Sequence, residues 1–346
     1  MRGHRVQDIA EQAGLSQATV DRVLHGRPGV SPRAVRAVEQ AVLDLDRQQT
    51  QLRLGGRTLM LDMVMQAPVR FSRAVREALE GELTSARPAA VRARFHLSES
   101  GTVRDAVGLL DAVGRRGRAS QGVLLKAPDD PEVAAAVDRL RERGIPVVSL
   151  VTDVHGSPRV AYVGLDNAAA GNTAAYLMKQ WLRTLPGTVL TTLSRSSFSG
   201  ERERCDAFVS TMSCLDPERR LVIVGEADGL DSTMRGLVAS ALDAHPDTVA
   251  VYSIGGGNRA TAAEFASRRL RARVFIGHDL DADNVALLRD GTLSVVLHHD
   301  LRADMRAAIR QVLRFHRLLP GAPASVLASP EVITPYNMPH RLPSQA

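Results

Sequence analysis

Aromatic residues are scarce in this chain of 346: one Trp, four Tyr and seven Phe, or 3% of the sequence. A small-molecule pocket built on stacking platforms is therefore disfavoured, and hydrogen bonds must carry most of any ligand affinity. Cysteine occurs only at Cys205 and Cys214. The two are too far apart for a CxxC pair and have no histidine cluster beside them. That argues against a disulfide framework or a thiolate metal site and fits a reducing compartment. Lysine is confined to Lys126 and Lys179, so nearly all of the 44 basic residues are arginine. No stretch of about eighteen consecutive apolar residues occurs, which argues against a membrane-spanning helix. The opening MRGHRVQDIAEQ lacks the apolar segment of a secretion signal, and a cytoplasmic protein without membrane partners is expected.

The length exceeds what one compact core accommodates, so two or more domains are expected. A hydrophobic content of 44% with 24% charged residues is ordinary for a globular chain, and the formal net charge of +6 permits an anionic partner such as nucleic acid without requiring one.

From Val6 to about Leu45 the apolar pattern is helical. Ile9, Ala10, Ala13 and Gly14 suit one face of a short helix, and Val20, Val23 and Leu24 a second. Ser31 and Pro32 start a third as N-cap and first helical residue, with Val35, Val38, Val42 and Leu45 as its apolar stripe. Small Ala10 lets a second helix approach the first, Gly14 tolerates a turn, and Ser16 can cap the second helix. This is the internal logic of a helix-turn-helix. It leaves Ser16, Gln17, Ala18, Asp21, Arg22 and His25 as candidates to face a DNA major groove. Gln17 suits adenine, and Arg22 suits guanine or a phosphate. The polar run Asp46 to Gln51 reads as a linker or a conditionally ordered helix.

Beyond Thr58 the pattern changes to strands separated by helix-length connections. Strands are predicted at 59–65, 122–126, 145–151, 161–164, 188–193, 220–225, 249–254 and 274–277, with helices such as 131–143 and 168–185 between them. Such alternation means mostly parallel sheets with helices on both faces, and this many strands favours two lobes. The fold class expected is a small all-α headpiece followed by a two-lobed α/β core. Its divisions are 1–45 for the headpiece, 46–57 for a hinge, and 58–346 for the core. The first lobe takes about 58–164 and 298–327, the second about 165–297 and 328–346.

In open α/β sheets ligands lie beyond the carboxyl ends of the strands. The residues just after the predicted strands are accordingly Gln66, Arg70 and Phe71; Lys126; Thr152 and Asp153; Asp166 and Asn167; Arg195 and Arg204; Gly256, Gly257 and Asn258; Asp279; and, after the further apolar segment LSVVL, His298. These are planar and charged hydrogen-bonding groups of the kind a polyhydroxylated ligand needs. Lys126, Arg70 and Arg195 leave an acidic or phosphorylated sugar open. The GGGN run has neither the Lys-Ser/Thr of a phosphate loop nor GxGxxG spacing. His298, His299 and Asp300 imitate a metal site, but neighbouring strand residues point to opposite faces. No catalytic triad order, HExxH or nucleotide motif stands out, so neither an enzyme nor a cofactor is expected.

The segment DIAEQAGLSQATVDRVLHGRPGVSPRAV resembles the headpiece of the LacI family of regulators. GVLLKAPDDPEVAAAV, YVGLDNAAAGNTAA and FIGHDLDADNVALLRDG resemble the periplasmic-binding-protein-like cores of that family. The resemblance implies a homodimer on operator DNA, a hinge helix that orders on DNA, and a small-molecule effector (sugar, polyol or sugar acid) between the lobes. It implies that Phe71, Arg204, Asp279 and His298 contact the effector and that Leu54 wedges into the minor groove. Two departures stand out. Asp21 replaces a common serine and is repelled by phosphates unless it meets a cytosine amino group or Arg22. Arg47, Thr50 and Gln51 replace the family's proline and small linker residues. A repressor of a sugar or polyol operon is the reading these features support; a sugar-binding protein or sugar-active enzyme without operator binding is the alternative.

Overall fold

A computed structural model describes residues 4–54, 58–84, 86–115, 117–226 and 230–339, with the backbone alone for 46–54. The chain divides into two compact units, residues 1–58 with 87–90, and the remainder.

The first unit begins with α1 (Val6–Ala13), α2 (Gln17–Leu24) and α3 (Pro32–Leu54). α1 stops at Gly14, whose left-handed φ of 66° lets its N–H return to the carbonyls of Ala10 and Glu11. α2 starts at Ser16, whose hydroxyl accepts from the Thr19 N–H at 3.2 Å, and α3 at Ser31, which accepts from Ala34 at 3.3 Å. Ile9, Ala10, Val20, Val38 and Ala41 form the small core. Burying Val20 completely contributes about 1.5–3 kcal/mol, a large share for so small a core. α3 does not end near Leu45: the polar run from Asp46 continues it to Leu54. Residues 55–57, the end of the expected hinge, and the side chain of Leu54 lie outside the described residues.

The second unit has two six-stranded sheets. In chain order its elements are β1 (Thr58–Gln66), α4 (Val69–Leu83), β2 (Ala90–Ser98), α5 (Val103–Ala112), β3 (Gly122–Lys126), α6 (Pro131–Glu142), β4 (Val147–Leu150), β5 (Ala161–Leu165) and α7 (Asn167–Leu182). Then come β6 (Thr188–Thr192), α8 (Ser199–Leu215), β7 (Leu221–Val224), α9 (Asp231–Ala244), β8 (Thr248–Ser253), α10 (Asn258–Ser267), β9 (Val274–His278) and α11 (Ala282–Arg289). The last are β10 (Val295–His298), α12 (Leu301–Phe315), β11 (Val326–Ala328) and β12 (Glu331–Ile333). The strand orders are β11-β5-β4-β3-β1-β2 and β12-β10-β9-β8-β6-β7. The two sheets repeat one strand order, differing only in that β11 runs parallel to β5 and β12 antiparallel to β10, and each is the centre of a lobe. β3, β4 and β5 are buried at every residue, as expected of parallel strands covered on both faces.

β2 was not legible as a strand because it is an edge. It alternates Arg92, Arg94 and His96 with smaller or apolar residues, and an edge strand tolerates this. The pattern has a purpose: Arg94 clamps the buried Asp62 of β1 at 2.9 and 2.7 Å, and His96 joins at 2.8 Å. Against the cost of burial, these hydrogen bonds hold the Asp62 carboxyl below the ordinary range.

The chain passes between lobes after β5, after β10 and after β11. The middle passage leads into α12, which packs against α4, β4 and β5 of the first lobe. The outer two are tied together by the Asp166 N–H on the Ala328 carbonyl at 2.8 Å.

Candidate functional site

A cleft open to solvent lies between the lobes at the carboxyl ends of the strands. Nine residues expected to face a ligand line it: Gln66, Arg70, Phe71, Lys126 and Thr152 from the first lobe, and Arg195, Arg204, Gly256 and Asp279 from the second. Asp153, Asn167, Gly257 and His298 are not part of the lining.

Arg204 is not at a strand end; it sits on α8. It reaches the cleft because α7 and α8 approach closely. At Gly171 a Cβ would stand 2.2 Å from the Arg204 carbonyl oxygen, so only glycine allows this packing. The contact brings Asn167, at the start of α7, to the Arg204 side chain, whose Nε donates to Asn167 Oδ1 at 2.7 Å. Asn167 also donates to the Tyr162 hydroxyl at 3.2 Å. Asn167 therefore positions Arg204. No hydrogen bond from the terminal nitrogens of Arg204 is found among the described residues, although the side chain is buried.

Asp279 follows β9 in a left-handed conformation, φ 64°. Asn284 pins it, donating through Nδ2 to the carbonyls of His278 and Asp279 at 2.7 and 2.8 Å, while its Oδ1 accepts from Asn258 at 2.6 Å. Lys126 donates to the Gln66 carbonyl at 3.0 Å, and its ammonium lies 3.7 Å from the centroid of Phe198 in the other lobe. Burial pushes its pKa down to about 8, which Glu201 opposes. Two further contacts cross between lobes. Arg70 Nε lies 3.0 Å from Asp281 Oδ2, and Arg195 donates to the Gly101 carbonyl at 3.0 Å, where Gln66 also donates at 2.9 Å. Burial raises the Asp281 carboxyl, with Arg70 acting in opposition.

Asp153 is a structural acid beneath the cleft. It takes a guanidinium from Arg159 and a hydroxyl from Ser149 at 2.6 Å. Gly257 caps α10 with φ 74° and packs on Met234. His298 is largely buried, and that burial pushes its pKa down to about 4. The cleft instead takes His278, whose Nε2 is 2.8 Å from the buried Tyr252 hydroxyl. Sequence reading missed His278, Glu99, Phe198, Glu201, Asp281 and Asn284. Asp281 and Asn284 were visible as an N-cap and its partner; Phe198 and Glu201 depend on where α8 starts. The lining carries Arg70, Lys126, Arg195 and Arg204 against Glu99, Glu201, Asp279 and Asp281, so its formal charge cancels.

In the first unit Ser16, Gln17, Ala18, Arg22 and His25 are exposed and Asp21 is half-buried. Asp21 does not meet Arg22. Its carboxylate takes Arg27 at 3.2 Å and His25 Nδ1 at 3.1 Å. Arg22 has no hydrogen-bond or ion-pair partner among the described residues.

Residues 99–315 match the periplasmic binding protein domain, and residues 5–46 match the bacterial regulatory proteins of the lacI family. No curated protein sequence matches the chain. Among solved structures it is similar to GanP, a glucose-galactose binding protein from Geobacillus stearothermophilus. The TM-score is 0.73 at 17% identity, covering 82% of this chain and 100% of that one. It is also similar to a solute-binding protein from Burkholderia graminis in complex with D-arabinose, with TM-score 0.74, 18% identity, and 82% and 98% of the two chains covered. A third is a candidate LacI transcriptional regulator from Bacteroides fragilis, with TM-score 0.70, 17% identity, and 81% and 97% covered. No helix among the described residues is long and apolar enough to cross a membrane.

Proposed function

Since the chain belongs to the periplasmic binding protein domain family and carries a lacI-family regulatory domain at its N-terminus, making it a ligand-responsive DNA-binding regulator, we propose that its effector is a neutral sugar or polyol. The observation that carries this is the buried Arg204, fixed through Nε alone and facing the same cleft as Asp279. Guanidinium donors and a carboxylate acceptor are the groups adjacent hydroxyls require. The cancelling charge of the lining favours a neutral ligand over the acidic sugar that Lys126, Arg70 and Arg195 suggested in isolation. Binding of glucose, galactose and D-arabinose is a property of the similar proteins; for this chain it supports the class and selects no member.

The DNA-facing set is Ser16, Gln17, Ala18, Asp21, Arg22, His25 and Leu54. Arg22, exposed and unengaged, reads a base, while Asp21 holds Arg27 and His25. The protein acts as a homodimer on a pseudo-palindromic operator and represses a sugar or polyol operon in the cytoplasm. Footprinting on DNA upstream of its own gene tests this: full-length protein protects a site with two related half-sites, and protein lacking residues 1–56 protects none while still binding sugar. Specific protection by the truncated protein would refute the assignment. Arg22→Ala is expected to cost about 1–3 kcal/mol at one base position; equal weakening on every sequence would make Arg22 a phosphate contact.

A further inference from the structure

His299 lies in the middle passage between lobes, after β10 and before α12, with a side chain only 1% exposed. Its two ring nitrogens approach carboxylates of different lobes. Nδ1 is 2.6 Å from Oδ2 of Asp304, which is itself buried on α12. Nε2 is 3.7 Å from Oδ1 of Asp279, which faces the cleft. Both are ion-pair distances and not aligned hydrogen bonds; a neutral imidazole has no charge to set against either carboxylate, whereas the imidazolium lies between both. Without it, Asp304 would be a buried carboxylate lacking a cation, which is strongly unfavourable.

The other charged or titratable groups facing His299 are Arg204 on α8, His278 on β9 and His298 on β10. Burial keeps both of these histidines neutral at physiological pH. Burial also opposes charge on His299, but Asp304 and then Asp279 outweigh it and raise its pKa against the pull of Arg204. α12 in turn carries Arg302 and Arg306, whose Nε atoms lie 3.0 and 2.7 Å from the buried Glu82 of α4. The N-terminal turn of α4 presents Arg70 and Phe71 to the cleft.

We propose that His299 is a positioning residue: its imidazolium orients Asp279 for the ligand and ties that carboxylate to α12 of the opposite lobe. This rests on the reading of Asp279 as a ligand contact. A ligand hydroxyl on Asp279 competes for the oxygen that His299 approaches, so binding is sensed at the passage between lobes. The chain of contacts from Asp279 through His299, Asp304 and α12 to Glu82 returns to the cleft along α4.

The test is an ¹⁵N imidazole titration by NMR on the full-length protein without ligand, with the signal assigned by its loss in His299→Gln. His299 is expected to remain doubly protonated above pH 6.5, the ordinary midpoint, and Asp279→Asn is expected to shift its midpoint down. Removing the Asp279 charge lowers the midpoint as long as the two side chains stay this close, so an unmoved midpoint means that they do not. A His299 neutral at pH 6, or a midpoint unmoved by that substitution, overturns the proposal. If His299→Gln fails to fold, the signal is assigned by the downward shift in Asp304→Asn, and the same outcomes apply. A thermal-shift series with D-glucose, D-galactose, D-arabinose and D-allose then separates the two readings. If a stabilising sugar moves the His299 midpoint in the wild type, both stand. If the midpoint responds to Asp279→Asn but to no stabilising sugar, the ligand contact is lost and the positioning of Asp279 remains.

Discussion

The two lobes share one strand order, yet they furnish the cleft unequally. The equivalent turns after β4 and β9 both hold a non-glycine residue in the left-handed region, Val151 at φ 65° and Asp279 at φ 64°. In each the carbonyl is fixed from below, by the Tyr162 hydroxyl in the first lobe (3.2 Å) and by Asn284 in the second (2.8 Å). One lobe places an apolar side chain there and the other a carboxylate. Topology thus dictates the strained backbone, and side-chain identity dictates what the strain presents. The first lobe contributes cations on its cleft face, Arg70 and Lys126; the second contributes the buried Arg204 with Asp279.

The largest break in this asymmetry comes from the second lobe. Arg204→Ala or Asp279→Asn should cost about 1–3 kcal/mol of effector affinity, because a ligand hydroxyl is left unmet in a buried site. Operator affinity without effector should stay unchanged. Calorimetry with the sugar selected by thermal shift checks the first, and retardation of an operator fragment the second. A matching loss from Val151→Ala would contradict the asymmetry.

Next comes Lys126. Its pKa of about 8 lies below the ordinary 10.5, so between those values the unfolded chain binds a proton that the folded chain lacks. Stability therefore rises with pH from about 8 towards 10.5, and below about 8 this contribution has no slope. Lys126→Met should abolish the rise and increase the melting temperature at pH 7, since a buried charge is removed, while weakening effector binding. A melting temperature that falls at pH 7 would mean the contact with Phe198 outweighs burial.

The smallest effect is expected at Arg70. Its pair with Asp281 is partly exposed, so Arg70→Ala should change effector affinity by less than about 1 kcal/mol. A loss as large as that of Arg204→Ala would make the two lobes equal partners.

Much of the fold was legible because parallel strands covered on both faces must be continuously apolar, as GVLLK and AYVGL are, and because Ser16, Gly14 and Pro32 punctuate the helices. β2 was not, since an edge strand has no such constraint. At the cleft, residues directly after strands, such as Lys126 and Asp279, were legible from topology alone. Arg204 was nominated as a strand-end residue and is a helical one, because the close approach at Gly171 depends on two helices distant in sequence. His298 is absent from the lining and His278 is present, although His278 directly follows the predicted strand 274–277 and was open to the same strand-end rule. Asp21 illustrates the limit at the headpiece, where its partner is Arg27, six residues on across a turn, and not its neighbour Arg22.

The central claim is that one cleft sets the affinity of one headpiece for DNA. Its most direct test is an equilibrium titration of the preformed operator complex with the stabilising sugar, in wild-type protein and in Arg204→Ala. The wild-type operator dissociation constant should change by about 5–150-fold, the range of ordinary coupling free energies. The variant should bind the operator equally well in the absence of sugar and respond only weakly. A sugar that stabilises the wild-type protein while leaving its operator affinity unchanged would contradict the account.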